Sequence, residues 1–209
     1  MKKQQTLEME RVEQHFIRYL PDISYLYLDK NGRAYIGMGF HISSKSDYIR
    51  LPLKDKRTKK AVSNIDKATE FARIIRLPKG YAVNFYEPFG ECYLSHNESI
   101  ILLKNKIKQL TIEFKEQHAE LNFAQLPAKV QLAVLDVAYD LTEQSIKHAY
   151  PDFYQAICIK NWPVAAQTCT RSGICKVRNN AVQALFKNLE TPDKSVFETF
   201  KNYFHKAKY

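Results

Sequence analysis

The chain has 209 residues, 45% of them hydrophobic and 26% charged. That composition excludes disordered and fibrous classes and allows one domain with a sizeable core, or two small lobes sharing one. A balance of 32 Lys and Arg against 22 Asp and Glu gives a net charge of +10, which attracts polyanions (nucleic acid, anionic headgroups, acidic wall polymers) without choosing among them.

Several features bound the reading further. No stretch approaches the roughly 20 apolar residues of a membrane helix, so no membrane span is expected. The opening Met1-Lys2-Lys3-Gln4-Gln5-Thr6 has two lysines with no apolar run behind them, so no signal peptide is expected. Cys92, Cys158, Cys169 and Cys175 form no Cys-x-x-Cys pair and no Cys/His cluster at ligand spacing, and neither a metal site nor a cofactor is expected. Cys169 and Cys175 are near enough in sequence to be bridged in an oxidising compartment, with four free thiols as the alternative. The densest basic run, Lys54-Asp55-Lys56-Arg57-Thr58-Lys59-Lys60, reads as a solvated loop. With no zinc-finger, RNA-recognition or basic-zipper pattern beside it, no specific nucleic-acid partner is expected.

In chain order, residues 7–20 predict an amphipathic helix from the spacing of Met9, Val12, Phe16, Tyr19 and Leu20, stopped by Pro21. Tyr25-Leu26-Tyr27-Leu28 reads as a strand, Asp29-Lys30-Asn31-Gly32 as a turn, and Ala34 to Gly39 as the returning strand. Gly37 and Gly39 mark a close approach by another backbone or a ligand. Asn64–Arg76 predicts a helix with Ile65, Ala68, Phe71, Ala72 and Ile75 on one face. Tyr81–Tyr93 reads as extended, because Pro88 and Gly90 break a helix. Ser95-x-x-Glu98 is a capping box opening a long helix, and Val130 to Leu141 is apolar almost all round, as in a buried helix. Asn161 and Thr191 read as further N-caps. The result is α+β: a small antiparallel hairpin sheet near the N-terminus, about residues 20–60, and a mainly helical lobe over 61–209 plus the helix at 7–20.

The segment Tyr27-Leu28-Asp29-Lys30-Asn31-Gly32-Arg33-Ala34-Tyr35-Ile36-Gly37-Met38-Gly39-Phe40-His41 resembles the phage-type lysozymes and pesticin-like wall-degrading toxins. Leu126-Pro127 through Asp140-Leu141 resembles their buried central helix. Trp162-x-x-Ala165-Ala166, Arg171-Ser172-Gly173-Ile174 and Arg178-Asn179 resemble the helices that close their cleft. The likeness covers about residues 10–190 and implies a single lysozyme-like domain that targets peptidoglycan glycan strands. It implies an N-acetylmuramidase if active, made in the cytoplasm, acting on the wall after secretion or lysis as an antibacterial effector, and met by an immunity protein. A monomer is expected.

The family's catalytic glutamate, nine residues before the aspartate, falls on Leu20, and its threonine falls on Tyr35; only Asp29 is in place. Hydrolysis of a glycoside ordinarily needs two carboxyl groups. Asp22 and Glu13 are therefore the candidate replacements for the acid, each with a plain alternative as turn residue and solvated helix face. Asp29 reads equally as a turn former. Tyr35, His41, Arg171, Arg178 and Asn179 are the substrate-binding candidates. For the arginines the alternative is bonding to helix C-terminal carbonyls. Tyr81, Tyr86 and Phe89 either stack on sugar rings or form core. Beside the hydrolase stands a second reading: a catalytically degenerate lysozyme fold acting as a glycan- or protein-binding module. A third, nucleic-acid binding, rests on charge alone.

Overall fold

The computed structural model describes residues 8–116, 118–142 and 144–190. Two compact units divide the chain: a sheet unit, Glu13–Lys106, and a helical unit, Met1–Val12 with Ile107–Tyr209. No helix among the described residues is long and apolar enough to cross a membrane.

The first helix, α1 (Met9–Tyr19), buries Val12 and Phe16 at one heptad-like stagger. Three antiparallel strands follow, β1 (Ile23–Leu28), β2 (Ala34–Gly37) and β3 (Phe40–Ile42), in the order β1-β2-β3. Gly32 takes φ +82 in the first turn and Gly37 and Gly39 take φ +61 and +73 in the second, a region in which a Cβ is strained. β1 is irregular between Ile23 and Tyr27. There the Ser24 carbonyl leaves the ladder and accepts from Leu94 N at 2.7 Å, so the bulge joins the sheet to a distant segment.

Beyond the sheet, the expected β lobe contains a helix that alternation did not reveal, α2 (Lys45–Arg50), capped by Ser44 accepting from Asp47 N. Then come β4 (Lys54–Asp55), α3 (Asn64–Ile74), β5 (Cys92–Tyr93) and α4 (His96–Glu116), with β4 and β5 antiparallel. The sheet unit therefore runs past residue 60, because the β4 partner and α3 both belong to it. Tyr81–Tyr93 is also not extended throughout. Val83–Phe89 forms a 3-10 helix containing Pro88, whose missing N–H matters little in so short and irregular a turn.

The buried stripe of α3 differs from the apolar one. Lys67, Glu70, Phe71 and Ile74 face inward, whereas Ile65 is 77% and Ile75 46% exposed. Specific polar bonds turn the helix. Lys67 Nζ donates to the carbonyls of Ile49 and Leu51 at 3.0 and 2.6 Å at the end of α2. Glu70, 2% exposed, accepts from Tyr48 Oη at 2.6 Å, Glu91 N at 2.5 Å and Cys92 N at 2.9 Å. The core around these bonds is apolar, including Leu26, Leu28, Ile36, Tyr48, Ile74, Tyr86 and Leu94.

In the helical unit α5 (Ala128–Tyr139) is the buried centre, followed by α6 (Ile146–Ala149), α7 (Pro151–Cys158), α8 (Trp162–Thr168) and α9 (Lys176–Ala184). Val134, Leu135 and Val137 are fully buried and Ala138 is 4% exposed, as the all-round apolar pattern predicts. Asn161 caps α8 by accepting from Val164 N at 3.3 Å. The expected cap at Thr191 lies outside the described residues. Leu135→Ala should cost about 2–5 kcal/mol, since its close-packed surroundings cannot collapse onto the void. Thermal and denaturant unfolding measure this, and a loss under about 0.5 kcal/mol, the size of a surface effect, would place Leu135 outside the core.

Candidate functional site

On the sheet, Tyr27 pairs with Tyr35 and Tyr35 with His41 in successive registers. Opposed residues on neighbouring strands bring side chains into contact. The Tyr27 and Tyr35 rings stack at 5.9 Å and 27°, and the Tyr35 and His41 rings meet at 5.2 Å and 49°. All three are half-buried, giving one aromatic row across three strands. His41 Nδ1 also lies 3.4 Å from Ser43 Oγ.

Asp29 stands at the end of β1 beside this row. Its Oδ1 accepts from Asn31 N and Arg33 N, both at 2.8 Å, while its backbone N–H donates to Arg33 O at 2.9 Å and its carbonyl accepts from Gly32 N at 3.0 Å. Asp29 thus builds the turn, and no described hydrogen bond engages its Oδ2.

Asp22 stands at the other end of β1. Its Oδ2 lies 2.7 Å from His96 Nδ1, and its Oδ1 accepts from Ser99 Oγ at 2.7 Å. Ser99 Oγ in turn accepts from Met38 N at 3.2 Å. A Cβ on Gly37 would stand 2.7 Å from Ser99 Oγ, so the close approach expected at this glycine is made by the first turn of α4. The side chains of His96 and Asp22 are 61% and 26% exposed. Ser99 is 1% exposed and spends its hydroxyl on Asp22, which removes it as a nucleophile. Neither His96 nor Ser99 is marked by a local sequence pattern. Ser99 falls one residue after the capping box that signals α4.

The separation of the carboxylates decides what they can do together. Asp29 is tied to Arg33 and Asp22, through Ser99, to Met38, at opposite ends of β2. Those anchors lie five residues apart in the sequence, about 15–20 Å along extended chain. Glycoside-cleaving pairs stand roughly 5–9.5 Å apart. Asp22 and Asp29 are thus anchored at opposite ends of the strand pair. Glu13, on α1, pairs with Lys104 Nζ at 3.1 Å, a neutralised contact on the helix face. Leu20 directly follows α1, its N–H bonded to Phe16 O at 2.8 Å, and supplies no acid.

In the helical unit, Arg171 and Arg178 are 2% and 3% exposed. Arg171 donates to Asp136 Oδ1 at 2.6 Å, Asp140 Oδ2 at 2.7 Å and Asp136 O at 2.6 Å. Arg178 donates to Asp136 Oδ1 at 3.1 Å, Asp140 Oδ1 at 3.0 Å and Asp136 O at 3.3 Å. Both reach a carbonyl in the last turn of α5, the alternative raised above for these residues. Asn179 exchanges bonds with the Arg171 backbone, accepting from its N at 3.2 Å and donating to its O at 2.9 Å. Tyr86 is fully buried core, whereas Tyr81 and Phe89 are 56% and 36% exposed.

All four cysteines are free. Burial pushes the Cys92 thiol up to about 12 and those of Cys158 and Cys169 to about 11, so these three stay protonated and are poor nucleophiles near neutrality. No group of three or more His, Cys, Asp or Glu able to hold a metal ion exists among the described residues.

Asp29→Ala, which deletes the acceptor of two backbone N–H groups, should cost about 1–2 kcal/mol, while Asp29→Asn keeps an acceptor and should cost under about 0.5. Denaturant unfolding of both variants tests the turn role. Equal losses would show that the charge, not the bonding geometry, holds the turn.

No family model, curated protein or solved structure matches the chain.

Proposed function

We propose that this is a peptidoglycan-targeting, lysozyme-like protein that binds the glycan strand and does not cleave it by the two-carboxylate route. The observation that carries the reading is the in-register row Tyr27–Tyr35–His41. Sugar rings present flat faces of C–H groups that pack on aromatic rings, and tyrosine and histidine add polar tips for ring hydroxyls. The net charge of +10 favours the acidic wall polymers in which such strands lie. Binding is favoured over N-acetylmuramidase activity by the distribution of acids: Leu20 where a general acid belongs, Glu13 matched by Lys104, and Asp22 at the far end of β1 from Asp29. The lysozyme-like resemblance selects peptidoglycan among glycans, with an immunity protein as the further partner it implies.

Purified protein should co-sediment with sacculi, less so at high salt. Tyr35→Ala should lower the affinity for sacculi about tenfold, equivalent to roughly 1.4 kcal/mol of stacking, without lowering the melting temperature by more than a few degrees. Retention no better than that of an unrelated basic protein would defeat the proposal. Release of reducing ends by the wild type, abolished in Asp29→Asn, would move the assignment to a working hydrolase.

A further inference from the structure

The basic run at Lys54–Lys60 has a place in the fold that the glycan reading leaves unused. It forms the lip of a groove beside α3 and the β4–β5 ladder, with a volume of about 530 Å³. That is within the roughly 300–1,000 Å³ of small-ligand sites, and the groove lies wholly inside the sheet unit. Its floor is closed: Cys92 is 3% exposed, and Glu70 beside it is 2% exposed with its carboxylate already holding three donors.

The lip carries both signs of charge. Arg57 and Lys60 are exposed, and among the described residues neither has an ion-pair partner. The turn that presents them is held by its own hydrogen bonds. Asp55 Oδ1 accepts from Arg57 N at 3.0 Å and Thr58 N at 2.6 Å, and Asp55 N donates to Lys60 O at 2.9 Å. On the acidic side, Asp66 Oδ2 accepts from Ser63 Oγ at 2.6 Å, and no described hydrogen bond reaches its Oδ1. Glu91, 70% exposed, meets Arg73 at 3.4 Å through a single oxygen.

These charges select the ligand by elimination. A simple anion would face the exposed carboxylates Asp66 and Glu91 across the groove. A simple cation would have to sit beside Arg57, Lys60 and Arg73. A molecule bearing an ammonium and a carboxylate satisfies both sides, and each contact is a charge-assisted hydrogen bond. We propose that this groove binds a short zwitterionic peptide, its ammonium at Asp66 and Glu91 and its carboxylate at Arg57 and Lys60. The choice of peptide rests on the wall reading: the peptide stems of peptidoglycan carry both groups.

The test is calorimetric titration of the full chain with the stem peptide N-acetyl-L-Ala-γ-D-Glu-L-Lys, whose one ammonium is the lysine Nζ, with the same peptide acetylated at that nitrogen, and with the form amidated at both carboxyls. The parent peptide should bind, and acetylation or amidation should each weaken it about tenfold. The same loss is expected for the double variant Arg57→Ala/Lys60→Ala, whose exposed side chains make no described hydrogen bond or ion pair, so its melting temperature should fall by no more than a few degrees. Silence with the parent peptide overturns the proposal. So does equal affinity for all three peptides, or a double variant that binds within about twofold of wild type. The Tyr35→Ala variant separates this site from the glycan row. Peptide binding that survives when sacculus binding is lost supports an independent groove. Wild-type protein that binds sacculi but no peptide sinks the groove and leaves the glycan reading standing.

Discussion

A buried carboxylate must have its charge met from within, and each unit of this protein is arranged around one such demand. In the sheet unit Glu70 gathers Tyr48 from α2, the backbone of Glu91 and Cys92 at β5, and the Arg73 guanidinium at 3.7 Å. One side chain thereby ties α2, α3 and the β4–β5 ladder together. Removing it would strand a hydroxyl and two backbone N–H groups away from water, a cost far above that of an ordinary surface change. The groove beside α3 exists because this cluster holds its floor.

Asp136 makes the same demand in the helical unit. At 0% exposure it is held by Arg171 and Arg178, and Asp140 balances the second positive charge at 28% exposure. Two cations against two carboxylates leave the cluster neutral, which allows it to sit in the interior. The guanidinium forks also serve the Asp136 carbonyl in the last turn of α5. These arginines are therefore architectural, which leaves the proposed carboxylate contact to the exposed Arg57 and Lys60.

The strand β1 gives the sheet unit its functional division. At one end the Asp29 carboxylate is spent on a turn; at the other the Asp22 carboxylate is spent on His96 and on Ser99. The two carboxylates flank the strand from opposite ends, while Tyr27 on it pairs with Tyr35 on β2 and Tyr35 with His41 on β3. That arrangement supports the proposed binding role over two-carboxylate hydrolysis.

Local chemistry was readable without coordinates wherever neighbours in sequence are neighbours in space. The Asp29–Gly32 turn, the capping box at Ser95, the Asn161 cap, the α+β class and the burial of α5 all follow from residues within a few positions of one another. Tyr35 and His41 could be named from the resemblance, but their alignment in one row depends on strand register. Three things depended wholly on tertiary structure. α3 buries Glu70 and Lys67 instead of Ile65 and Ile75 because donors and carbonyls far along the chain outweigh an apolar stripe. Asp22 meets His96 and Ser99 across 74 and 77 residues, a distance no pattern spans. Arg171 and Arg178 turn inward because Asp136, on another helix, is buried and must be neutralised. Composition and periodicity determine the long helices and the first hairpin, where each residue's own backbone and nearest neighbours decide, but not α2 or the 3-10 turn at Val83–Phe89. Which charged groups become structure and which stay available to a ligand is decided only when the folded chain supplies, or withholds, their partners.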